Sequence, residues 1–118
     1  MRYTACINES FNVDVNSTLV GNGWELAIAI APTIPVSGGA LQTPAGKCIN
    51  VNLAHPSLIL QNGGTLPPFP GSYSFSASLG FPTVASAQMG FTNPAEPDGA
   101  SLSAANEVDV LGLSLIHI

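Results

Sequence analysis

Charge is what this sequence has least of. Of its 118 residues only Arg2 and Lys47 are basic and seven are acidic, so charged residues make up 8% of the chain and the formal net charge is −5; ordinary soluble proteins carry about 25% charged residues. With no positive patch to hold a phosphate backbone, nucleic acid is excluded as a partner. Long apolar runs are also missing. The longest is the six-residue stretch 26–31, far short of the roughly 20 residues of a membrane-spanning helix, and it reads as a buried strand. Helical periodicity is absent throughout, and a 118-residue chain is long enough to bury one core unaided.

What is present is alternation. In 71–79, Tyr73, Phe75, Ala77 and Leu79 fall on one face and Ser72, Ser74, Ser76 and Ser78 on the other, the period of a half-buried strand. After Phe81-Pro82 the pattern returns with Ala87, Met89 and Phe91 against Ser86, Gln88 and Thr92. Beyond the turn-rich stretch 93–99 a third copy places Leu102, Ala104, Val108 and Val110 opposite Ser103, Glu107 and Asp109. These three segments are expected to form an antiparallel meander whose apolar face needs a second sheet. Phe11, Val13 and Val15 alternate with Asn12, Asp14 and Asn16. Trp24, Leu26, Ile28 and Ile30 share a face backed by small alanines, which marks a central strand covered on both sides at its far end. Residues 3–7 and 57–61 add shorter strands, 32–46 a loop or short edge strand, and 47–53 a strand with Ile49, Val51 and Leu53 inward and Asn50 outward. The expectation is an all-β, antiparallel, immunoglobulin-like β-sandwich of about seven strands in one domain, residues 1–112, with truncation at its N-terminus left as an open alternative.

Little of the chemistry-bearing inventory forms a site. Asn93, Glu96 and Asp98 cluster in one loop and are weak calcium candidates, although the same residues suit a tight turn; no other metal site, no cofactor site and no catalytic residue is assigned. His55 before Pro56 reads as a structural or surface imidazole, and Cys48 with His55 lacks anything to fix a nucleophile–base pair. Gly39 to Gly46-Lys47 has the wrong spacing for a phosphate loop, and Gly21-Asn-Gly23 lacks the third glycine of a dinucleotide turn. Cys6 and Cys48 are a disulfide candidate if the chain is exported, or two free buried thiols. Asn16-Ser-Thr18 is a glycosylation acceptor only in a eukaryotic source. The serine row is more simply a solvated face than a glycan platform, since its aromatics point the other way, and Trp24 belongs to the core.

The order of segments is similar to a known arrangement. Gly46-Lys-Cys48, the alternating 71–79, Pro82 leading to Ala87-Gln88, then Leu102-Ser103 with Asn106 and a closing Val108-Asp-Val110, resembles a C-terminal Ig-like β-sandwich accessory module of secreted multi-domain proteins of planctomycete-type bacteria. At the last of these the chain departs from that pattern, with two alanines between Ser103 and Asn106. The resemblance implies a non-catalytic accessory or interaction module, secreted or at the cell surface, with the upstream domain of the same polypeptide or a cell-surface polymer as partner. It transfers no catalytic residue. The alternatives are a carbohydrate- or surface-polymer-binding module, with Phe69, Phe81 or Tyr3 lining a groove, and a phage or surface-fibre structural domain. Residues 1–6 have no apolar core and are not a signal peptide. Residues 113–118 look like the translation of a sequencing-adapter end and are expected to form no part of the fold.

Overall fold

The computed structural model describes residues 2–111; the suspected adapter translation lies outside them. Ten strands follow in order: β1 Arg2–Cys6, β2 Phe11–Asn16, β3 Trp24–Ala29, β4 Leu41–Gln42, β5 Cys48–Ile49, β6 Ile59–Leu60, β7 Ser72–Ala77, β8 Thr83–Thr92, β9 Ala100–Leu102 and β10 Asn106–Leu111. The larger sheet runs β1-β10-β8-β3-β6, with β9 paired to β8, and β2 pairs β7 in a second sheet. Pairing is antiparallel except between β1 and β10. With β9 and β10 taken as one interrupted strand, seven strands build the two layers, and β4–β5 is a separate hairpin.

Each β3 residue has a reason for its side. Register pairs Trp24 with Phe91 and Leu26 with Met89, so these four side chains share the inner face and form one buried cluster with Phe69. Val13, Val15, Tyr73 and Phe75 close over them from β2–β7, with the Tyr73 and Trp24 rings 4.9 Å apart. The opposite face of β3 carries Ala27 and Ala29, which meet Ala31, Val51 and Leu58. Small side chains there let segment 30–58 lie directly on the sheet, and Ala29 is fully buried. The central strand is thus covered on both sides, as its alanines imply.

Three expectations are corrected. The 71–110 stretch is not a meander: β7 pairs with β2, not β8, because Tyr73 and Phe75 reach Trp24 only from across the sandwich, and the turn at Phe81-Pro82 carries the chain to the other sheet. Leu102 does not share a face with Val108 and Val110. Leu102 stands opposite Gly90 while Asn106 stands opposite Ala87, and that one-residue change of register is a β-bulge at 103–105, which reverses which side chains point inward. Only Cys48–Ile49 of the expected 47–53 strand is extended in a ladder; Val51 is buried, but Asn50 turns inward too, donating its side-chain amide to Ile34 O at 2.8 Å while its backbone N–H donates to Gln88 Oε1 at 2.8 Å.

Candidate functional site

Segment 93–99, whose Asn93, Glu96 and Asp98 were the weak calcium candidates, is held by the chain's own cation. Lys47 Nζ lies 2.9 Å from Asp98 Oδ1 and 3.1 Å from Glu96 Oε2, and also donates to Ala100 O. The Thr43 hydroxyl donates to Asp98 Oδ2 at 2.5 Å and accepts from Lys47 N. Asn93 caps its own turn, accepting from Ala95 N and donating to Ser101 Oγ. The Lys47 ammonium therefore engages the two carboxylates of that candidate set, and the β4–β5 hairpin is clamped to the β8–β9 hairpin. The Thr43 hydroxyl, followed by Lys47, holds the Asp98 carboxyl down at about 2, and Asp98 in turn raises Lys47. Asp98 ionises more readily folded than unfolded, so its contribution to stability is complete above pH 3.8 and is lost as pH falls through about 2. For Lys47 the sign is reversed: its contribution is complete below pH 10.5 and fades as pH rises through the raised value.

Other polar groups are likewise spent on the fold. Glu25 accepts from the amides of Leu26, Asn62 and Gly64, which fastens 61–64 along β3. Glu107 accepts from the amide and hydroxyl of Thr33. His55 Nδ1 accepts from the Ser57 amide at 3.1 Å and stands 2.7 Å from its hydroxyl, which accepts from Ile30 N; it is a structural imidazole. Cys6 and Cys48 form no disulfide. Burial, with the negative Glu9 nearby, pushes the Cys6 thiol up. No group of three His, Cys, Asp or Glu among the described residues could hold a metal ion, and no helix there is long and apolar enough to cross a membrane.

Of the aromatics expected to line a groove, Tyr3 and Phe81 are exposed. Phe69 is not. It is 1% exposed because its backbone is pinned on both sides, Phe69 N donating to Asn22 O and Gly21 N to Phe69 O, each at 2.8 Å, which drives the ring between Trp24 and Phe91. The serine row forms a flat polar ladder with β2, Ser74 Oγ donating to Asp14 Oδ1 at 2.5 Å and Ser76 Oγ to Asn12 Oδ1 at 2.7 Å. Gln88, read from sequence as an outer polar residue, is 5% exposed and joins three segments: it accepts from Asn50 N and donates to Cys48 O and Ser103 O. Its signal was its place on the face that the alanines of β3 leave open to a covering segment.

A further opening of about 190 Å³ lies along β2, lined by Val13, Val15, Leu26, Ala87, Met89, Ser103 and Asn106 among others. A second, of about 210 Å³, sits over Gly90 and Leu102 beside Glu25. No family model, curated protein or solved structure matches the chain.

Proposed function

We propose that this chain is a non-catalytic interaction module of immunoglobulin-like build, belonging to an exported protein and serving either an upstream domain of the same polypeptide or a cell-surface polymer. One observation carries the non-catalytic part: the groups that proton transfer would need are engaged in holding loops. Glu25, Glu107, Lys47, Asp98 and His55 each bond a turn or a covering segment, and a general acid or base must instead present its proton to a substrate. The immunoglobulin-like part is supported by strand order. β3, β8 and β9–β10 take the places of strands C, F and G in one sheet, and β2 with β7 those of B and E in the other. Tyr3 and Phe81, 53% and 50% exposed, favour glycan binding as the second reading, since exposed rings stack on sugars.

The test is a panel of chromogenic ester, amide, glycoside and phosphate substrates alongside retention on cell-wall and algal polysaccharides. The expected result is turnover equal to buffer for all four classes. Turnover that disappears in His55→Ala contradicts the non-catalytic reading, while saturable polysaccharide binding abolished by Phe81→Ala moves the glycan reading ahead.

A further inference from the structure

We infer that the free edge of β2 is an acceptor site for one extended polypeptide strand supplied by another chain, small and apolar on its inward row and cationic on its outward row. The inference rests on the interaction-module reading and names its partner. Among the described residues β2 pairs only with β7. Ser17 N donates to Gly71 O at 3.2 Å, one step beyond the Asn16–Ser72 pair of the same register. Because hydrogen-bonded pairs alternate along an antiparallel ladder, Val15, Val13 and Phe11 bond to β7. The N–H and C=O groups of Asn12, Asp14 and Asn16 then point away from it, in a row that no described residue pairs.

Edges of this kind are normally guarded by lysine, proline, a bulge or a covering segment. The sequence of β2, Phe-Asn-Val-Asp-Val-Asn, has neither lysine nor proline, its single charge is Asp14, and its register is regular. Beside it the 190 Å³ opening has Leu26, Ala87 and Met89 for a floor and Ser103 and Asn106 for its far wall. The bulge at 103–105 shapes that wall. Such a space takes one or two side chains of alanine or valine size from a strand laid along β2, the geometry of strand addition to a sheet edge.

The occupant is a lone strand and not a second copy of this sandwich. Beneath the slot the larger sheet continues through β10 to β1, and stacked sheets lie about 10 Å apart, so a copy pairing edge to edge would drive its own larger sheet into β10 and β1. Charge decides the outward row. Asp14 is exposed at the middle of the edge, the chain carries −5, and Lys47, one of its two cations, is already bonded to Glu96 and Asp98.

The probe is a capped peptide of alternating lysine and valine titrated into the ¹⁵N-labelled protein, with a version N-methylated on the amides that would face β2 as control. The expected result is saturable shifts at the Asn12, Asp14 and Asn16 amides, and binding weaker by roughly tenfold or more for the methylated peptide, which keeps the charge but loses its backbone donors. Asn12→Pro removes an N–H that the β7 ladder does not use, so it weakens binding to a similar extent while the chain stays folded; should that variant unfold, the methylated peptide decides alone. Equal binding of both peptides, shifts confined to another edge, or no binding at all overturns the strand site. Those outcomes leave the non-catalytic reading intact, because that falls only to turnover in the substrate panel.

Discussion

Phe69→Ala is expected to lower stability by about 3–5 kcal/mol, the cost of deleting a buried aromatic ring and leaving its cavity. Phe69 is 1% exposed, with its ring edge-on to Trp24 at 5.5 Å and to Phe91 at 5.0 Å, so the substitution removes burial and two aromatic contacts together. Domains of this size have roughly 5–15 kcal/mol in all, so the thermal midpoint should fall by roughly 15 °C. The segment bearing Phe69 cannot collapse inward to fill the gap, since its backbone is pinned to Asn22 and Gly21. Phe81→Ala is the control: that ring is half exposed, and its loss should change stability by less than about 0.5 kcal/mol. Equal and small shifts for the two variants in thermal unfolding would contradict the placement of Phe69 at the centre of the sandwich.

Gln88→Leu keeps the volume and loses the chemistry. Asn50 N, Cys48 O and Ser103 O each give up a partner, and a partly buried polar group left unpaired costs about 1–3 kcal/mol. Solvent reaches some of these groups, so the expected loss is about 3 kcal/mol in denaturant unfolding rather than the full sum. Gln88→Glu should recover little of it. The carboxylate still accepts from Asn50 N but presents negative charge to two carbonyl oxygens and buries that charge. Recovery of wild-type stability by glutamate would mean that the two carbonyl contacts carry none of the energy.

These two residues also mark where sequence reading stops. Alternation along 11–16, 24–29 and 72–77 is a local property, and it placed the inward row of each strand correctly, from Val13 and Val15 to Tyr73 and Phe75. Pairing is not local. Nothing near Ser72 says that its ladder partner is Asn16, 56 positions away, rather than the next strand. The bulge at 103–105 inverts the parity of everything after it, which is why Leu102 and Val108 look equivalent in sequence and lie on opposite faces. Gln88 and Asn50 read as solvent-facing because polar residues usually are; only the covering of the larger sheet by segment 30–58 turns them into an internal joint. At 93–99 the oxygen cluster was legible, but its occupant was not. The single lysine was the available clue, an isolated cation in a chain of net charge −5 that had to settle near some carboxylate.

The central claim is a two-stranded β2–β7 layer whose β2 edge is open over a larger, complete sheet. Amide hydrogen exchange along β2, read residue by residue, tests it most directly. Val13 and Val15, bonded to β7, should exchange slowly, while Asn12, Asp14 and Asn16 exchange faster by on the order of 100-fold, a protection pattern that alternates with every residue. Uniform protection from 11 to 16 would contradict it by showing that a further strand already covers the edge, and uniform fast exchange would show that β2 does not pair with β7.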